Sequence, residues 1–559
     1  MGWKHSCPEY LLLSISTAAY LLFGCQTAIL IITLKYRIMK KLLILAAAVM
    51  IVMGCEDFLV EEPKTQIAVD QYFEKAEDAR AAVNALYRDG SGANAYGSGG
   101  FRGSDIMVGV YMSGLFDNEG KGERIEGQLA HSLQQDPVNF NDYAGGWWNA
   151  MFRTINRANL AIDRIPGIEM NAAEKNRLLA EARYFRAHNY FTLVKYFGDV
   201  PLTLLPIEGL ANAFIPRSSS AEVYAQIITD LEWALSNGNL PDVPFNSGNN
   251  GRVTRGAVLT TLAQVHLQRS GFPLNQNAYA DAAAAARQVI NSGTYALVQH
   301  GADPLTESAY NIMRVSEQER EYIWSAEYDG DVANSGYPRI TIPGAIRFNG
   351  LAYSRTLNMY RPIDTMVNMY TPDLDLRIQN KQLFATTTTD AAGNEIDLGE
   401  YAPFLWYEET AIFQTERGSK NLNHTRYPEV LLIAAEAIAR SQGVTAEAVG
   451  YLADVRDRAY WTVDRADIVA SLSGLSVDAF VQEVWKERYK ELALDFSAWH
   501  DIQRTRQYPI STTPGVVTFR DVIGADNNWG VQFRERDLLY PIPDAEMQRN
   551  DQLTQNPGY

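Results

Sequence analysis

The sequence is poor in the side chains from which most active sites are built. It holds 3 Cys and 7 His in 559 residues. The histidines at 5, 131, 188, 266, 300, 424 and 500 show no helical metal spacing and no His-Glu-x-x-His. No Ser has Gly at both −2 and +2, and no phosphate-cradling Gly-Lys-Ser/Thr or Gly-x-Gly-x-x-Gly occurs. Acid pairs such as Asp373/Asp375 and Glu408/Glu409 are numerous, but a glycosidase needs two carboxylates at a set separation. In so acidic a chain such pairs read as solvated surface. The expectation is a protein without catalytic residues, resident metal or cofactor.

Positive charge is scarce too. Residues 1–54 carry five basic residues and one acid, so the chain from Cys55 onward holds 44 basic and 65 acidic residues, a net of −21. Such a surface repels phosphate backbones, which excludes nucleic acid as a partner, and it offers anionic lipid no polybasic patch.

The cysteines lie at 7, 25 and 55, and the third has a setting of its own. Lys40-Lys41 precedes an apolar run, Leu42 to Met53, closed by Gly54-Cys55 and followed by Glu56-Asp57. Twelve residues at 1.5 Å rise reach only about 18 Å, short of the ~30 Å hydrocarbon core. The run therefore reads as a signal-peptide h-region, not a span. Val52-Met53-Gly54-Cys55 resembles a bacterial lipobox, whose Cys is acylated and becomes the mature N-terminus. On this reading residues 39–54 are a lipoprotein signal, Cys55 is the lipid attachment site, and residues 1–38 are an extension of the reading frame or an upstream hydrophobic segment. The mature chain then has one cysteine, and no disulfide.

From residue 70 the pattern is mostly helical. Apolar spacing predicts helices over 71–88, 147–165, 172–197 and 219–235, the last with Ser219 to Glu222 as a cap. The helix over 172–197 is apolar on two sides, which places it between two neighbours. Helical hairpins are expected at 254–269 with 277–291, and at 427–440 with 445–459, and their small residues permit close approach. The fold class is mostly α: tetratricopeptide-like pairs, about four of them, supporting an irregular loop-rich half with short β elements. The helical-repeat part runs over about 70–320, an aromatic loop region over 321–425, and a C-terminal helical part over 426–559. Within the loop region, Tyr322 to Tyr328 alternates like a strand and the rest reads as loop.

Several segments in order resemble the SusD/RagB family of nutrient-binding outer-membrane lipoproteins of Bacteroidetes. They are CEDFLVEEP at Cys55, AEARYFRAHNYFTLVKYFGDVPL at Ala180, GRVTRGAVLTTLAQVHLQRSG at Gly251, RYPEVLLIAAEAIARSQG at Arg426, DVRDRA at Asp454, VWKERYKELALDF at Val484 and LLYPIPDAEMQRNDQLTQNPGY at Leu538. The resemblance departs at Ala498, where the family's Glu-Gly-x-Arg-x-x-Asp-Leu has Arg, and this puts one local ion pair in question. It implies a single SusD-like domain over 55–559, held at the cell surface by lipid. The implied partner is a SusC-like TonB-dependent transporter, and the implied role is non-enzymatic capture of a glycan for import. A peptide ligand, as for RagB, and a surface glycoside hydrolase are the alternatives.

The family's sugar contacts lie on variable loops, so no motif transfers them. Sugars offer C–H faces to rings and hydroxyls to polar side chains. Loop context nominates Tyr96, Tyr111, Tyr337, Trp406 and Tyr407 as rings, with Asp105, Asn118 and Arg339 as polar partners. Adjacent side chains diverge, so one of Trp406 and Tyr407 should face ligand. Trp147, Trp148, Trp324 and Trp499 read as core. The one place where a structural calcium is considered is Asp526-Asn527-Asn528.

Overall fold

The computed structural model describes residues 34–37, 39–41, 73–90, 109–118, 125–140, 145–207, 209, 213–246, 248–348 and 350–559. The chain divides into two compact units, Met1–Tyr72 and Phe73–Tyr559. In the first, residues 34–37 and 39–41 are helical. Cys55 and nearly all of the signal segment lie outside the described residues. Among the described residues no helix is long and apolar enough to cross a membrane.

The second unit is helical with short strands. Its long helices are α1 (Ala76–Gly90), α2 (Gly146–Arg164), α3 (Ala172–Phe197), α4 (Ser220–Asn237), α5 (Arg255–Ser270), α6 (Tyr279–Asn291), α7 (Tyr427–Gln442), α8 (Ala446–Ala459) and α9 (Val477–Glu491). Local chemistry sets their ends. Asn171 accepts from the Glu174 N–H to open α3, and Ser219 with Glu222 forms a reciprocal capping box on α4. Gly198 ends α3 at φ 70°, where a Cβ would come within 3.0 Å of Leu539. The helices pack in sequence as tetratricopeptide-like pairs, α3 on α4, α5 on α6, α7 on α8, with α6 against α7 and α9 against α7. Helix α3 touches both α2 and α4, as its two apolar sides require.

The strands form two-stranded antiparallel ladders among the described residues: β1 (Phe116–Asp117) with β3 (Arg361–Pro362), β2 (Tyr322–Ala326) with β6 (Leu422–Arg426), β4 (Phe384–Thr389) with β5 (Glu395–Pro403), and β7 (Gln507–Thr513) with β8 (Val516–Asp521). Two differences from the sequence reading stand out. Strand β2 is buried along its whole length rather than on alternate residues, because α5 and β6 both pack on it. The stretch TTTTDAAGNEIDLGEYAP, read as loop, is the β4–β5 hairpin.

Helix α9 carries the VWKERYKE segment, and its charges hold the molecule's interior together. Arg377, wholly buried, pairs with Asp375 at 2.8 Å, Glu487 at 2.7 Å and Glu491 at 3.1 Å. Arg426 reaches Glu321, Glu491 and Asp495, and Arg458 bridges Glu321 and Glu491. Burial alone would raise the Glu487 and Glu491 carboxyls, but the surrounding guanidinium groups outweigh it and hold both below the usual range. Asp501, whose neighbourhood Ala498 put in question, is served by Arg488 at 2.8 Å and Arg504 at 2.7 Å.

Candidate functional site

The loop half is organised by rings. Tyr111 is fully buried, donates its hydroxyl to the Met359 carbonyl at 2.8 Å, and stacks on His131 with centroids 4.6 Å apart. His131 stacks in turn on Trp529 at 4.7 Å, the two planes within 3°. Inward, Tyr111 lies 6.3 Å from Tyr360, which packs at 5.6 Å on Trp406 and 4.9 Å on Phe496. Trp406 meets Tyr337 at 5.1 Å. The result is a continuous column of aromatic rings that starts at Trp529 and ends in the core.

This placement corrects the surface positions expected for several side chains. Tyr111, Tyr337 and Trp406 belong to the hydrophobic core and Tyr407 to a smaller core cluster, Trp406 being 3% and Tyr407 4% exposed, so none presents an open ring face. The reason is that Tyr111 and Tyr337 sit on short helical turns and these rings, with Tyr360 and Trp406, bury against one another. Asn118 is also buried, beside Tyr111: a Cβ added to Gly127 would sit 3.3 Å from that ring and 3.9 Å from Asn118 Nδ2. Arg339 is half-buried on the turn Tyr337–Ile340. Tyr111 and Asn118 thus come together at one end of the column, and Tyr337, Arg339 and Trp406 at the other. Tyr96 and Asp105 lie outside the described residues.

Trp406 and Tyr407 do diverge. The Tyr407 ring stacks on Phe404 at 5.0 Å and its hydroxyl accepts from Thr388 at 2.9 Å. Burial pushes its phenol up, and the Thr388 bond opposes this. Both rings border an open cleft of about 750 Å³ between the short helix Ala309–Val315 and β4. Arg314 stands over Phe404 at 4.8 Å and is tied to Glu409, while Asn380, Thr389 and Glu307 add polar groups. The cleft offers ring edges and hydrogen-bonding groups, the combination a sugar engages.

Trp529 was missed in the sequence, and it is the most exposed of the described tryptophans, at 36%, with Trp233, Trp461 and Trp485 half-buried. Its loop is held rigidly. Asn527 donates to the His131 carbonyl at 2.6 Å and accepts from the Trp529 and Val531 N–H groups. Gly114, at φ 67°, lets the first ring segment approach so closely that a Cβ there would sit 3.2 Å from Asn527. Asn527 is therefore spent on bracing the loop, and among the described residues no group of three or more His, Cys, Asp or Glu is arranged to hold a metal. The signal that could have found Trp529 is Asn-Asn-Trp-Gly, a large ring in a turn sequence.

Polar groups flank this end of the column. Asp117 lies 3.7 Å from His131 Nε2 and accepts from Arg361 at 2.7 Å, and Arg361 also reaches Glu400 at 2.9 Å. Burial works against the Arg361 charge, yet Glu400 and Asp117 outweigh it and hold the guanidinium above its ordinary range.

Comparison with known proteins agrees with this architecture. Residues 378–559 match the SusD family, and residues 113–267 match a family described as starch-binding and associating with the outer membrane. The chain is 26% identical to SusD-like protein P2 of Formosa agariphila over 549 residues, covering 94% of this chain and all of that one. A SusD superfamily protein of Parabacteroides distasonis superposes with a TM-score of 0.74 at 26% identity, over 88% of this chain and all of that one. Surface glycan-binding protein A of Bacteroides thetaiotaomicron, in complex with laminarihexaose, has the same fold at 19% identity, with a TM-score of 0.65 over 86% of this chain and 99% of that one. The two family matches cover the first ring segment onward to residue 267 and then residue 378 to the last residue, and along both stretches the chain is similar to the SusD/RagB family.

Proposed function

We propose that the protein is a lipid-anchored cell-surface receptor that captures a glycan and passes it to a SusC-like TonB-dependent transporter in the outer membrane, doing no chemistry on it. Cys55 carries the lipid. The observation that carries the reading is Trp529, an exposed ring on a braced loop in a chain similar to this family. Covering one ring face with a pyranose removes about 60 Å² from water and contributes roughly 1.5 kcal/mol at ~25 cal/mol/Å². Two or three such contacts, less the cost of ordering the sugar, give an affinity in the micromolar to millimolar range, tight enough to capture and weak enough to release. The cleft beside Tyr407 supplies a second contact region for a longer chain. The laminarihexaose complex of the Bacteroides thetaiotaomicron relative supports an oligosaccharide as the ligand class.

The test is calorimetry of the purified protein against a panel of neutral and acidic glycans, with the sugar recovered and assayed for new reducing ends. Binding of at least one glycan without cleavage, weakened about tenfold by Trp529→Ala, is the expected result. Failure of the whole panel to bind, or release of reducing ends by the pure protein, overturns the reading.

A further inference from the structure

A second cavity lies away from the aromatic column, where the C-terminal end of α3 and the start of α4 meet the turn after α5 and the last residues of the chain. Its volume is about 480 Å³, within the range of small-molecule sites. The walls are apolar: Tyr224, Phe272, Pro273, Leu274, Leu538 and Leu539. Phe272 is 43% exposed, an unusual position for a phenylalanine, and is fixed there by its backbone. Its N–H donates to the Arg504 carbonyl at 2.9 Å, and the preceding Gly271 approaches so closely that a Cβ there would sit 2.3 Å from the same oxygen.

The charge around this cavity runs against that of the protein. Lys195, Arg506, Arg534 and Arg536 line it, with Glu535 as the acid among them and Asp537 paired behind Arg534 and Arg536, in a chain whose net charge from Cys55 onward is −21. Arg506 is the innermost in role. Its guanidinium lies 5.0 Å over the Phe272 ring and gives both terminal nitrogens to Glu535, at 2.6 and 2.5 Å. Its Nε is buried and has no hydrogen-bond partner. A buried donor left unmade costs free energy, which Arg506 recovers if its guanidinium turns from Glu535 toward an acceptor in the cavity. An apolar chamber, a cationic rim and an unused guanidinium N–H together select a molecule with an apolar body and one anionic end.

We propose that this cavity is a binding site for a small amphipathic carboxylate, an aromatic or short aliphatic acid, whose body packs on Phe272 and Leu539 and whose carboxylate accepts from Arg506. The site shares no lining residue with the Tyr407 cleft and does not depend on the glycan reading.

The test uses the detergent-solubilised full chain and three probes: cinnamate, hexanoate and the uncharged cinnamamide, followed by saturation-transfer NMR and by thermal shift. Saturable binding of cinnamate is expected, at least tenfold tighter than that of the amide. Arg506→Gln should weaken cinnamate tenfold or more and leave the amide unchanged. Phe272→Ala, at an exposed position, should weaken both probes while circular dichroism stays native. Absence of saturable cinnamate binding overturns the proposal. So does equal affinity for acid and amide, or insensitivity of cinnamate to both substitutions in natively folded protein.

Discussion

The helical half and the loop half bury different things. Around α9 the interior is joined by charges, with Arg377, Arg426 and Arg458 each shared between carboxylates on separate elements. In the loop half the interior is joined by rings, from Trp529 through His131, Tyr111 and Tyr360 to Trp406. Charges demand fixed partners and fix the relation of one element to another. Rings tolerate a range of contacts, so loops built on them can vary in sequence and keep a core. That division lets one half hold its geometry while the other is free to change its surface.

The largest effect expected from breaking this contrast is in the charged half. Arg377→Ala takes from Asp375, Glu487 and Glu491 the buried cation they share, leaving Lys490, Arg456, Arg426 and Arg458 around them, and should cost about 3 kcal/mol, read from urea denaturation. Trp406→Ala removes the hub of the ring column and should cost a similar ~3–5 kcal/mol as a cavity. Equal loss in the two halves, but rescue of the second alone by Trp406→Phe, would sharpen the distinction.

A pH effect comes next. Burial lowers the His266 pKa to about 4, and the Arg269 N–H donated to its Nδ1 at 3.0 Å needs the neutral ring. The folded pKa lies below the unfolded value of ~6.5, so the unfolded chain binds the proton first. Stability should be complete above pH ~6.5 and fall by roughly 2–3 kcal/mol on acidification to pH ~4. His266→Gln should flatten that part of the curve, while the depressed carboxyls Glu487, Glu491 and Asp501 keep their contribution until the pH falls below the ordinary carboxylate range. Tyr407→Phe forfeits the Thr388 bond and should cost about 1 kcal/mol. Trp529→Ala should also cost about 1 kcal/mol, the loss of its stack on His131. That substitution is the one expected to act on glycan binding as well.

The helical scaffold was legible because its signals are local. The span of α3 follows from Asn171 at one end and Gly198 at the other, and the α5–α6 and α7–α8 hairpins from apolar spacing broken by turn residues. The β4–β5 hairpin was not, because its Thr run and Asp390–Asn394 turn lack the alternation that marks a half-buried ladder. The ring positions were legible only in part. Trp406 and Tyr407 parted as adjacent side chains should, but polar neighbours in sequence said nothing of the core that Tyr337, Tyr360 and Phe496 make around Trp406. Phe496 itself sits at φ 63°, in the slot where the resembling pattern has Gly, and keeps its ring in the column at that backbone cost. Trp529 was passed over because its loop drew notice for its oxygens, which turn out to brace the turn.

The coplanar seat of Trp529 on His131 has a practical consequence. Its indole faces water while Trp147, Trp148, Trp324, Trp406 and Trp499 are enclosed. A sugar settling on that indole should shift its emission, and the difference from the Trp529→Phe spectrum removes the share of the half-buried Trp233, Trp461 and Trp485, giving an optical gauge that needs no label.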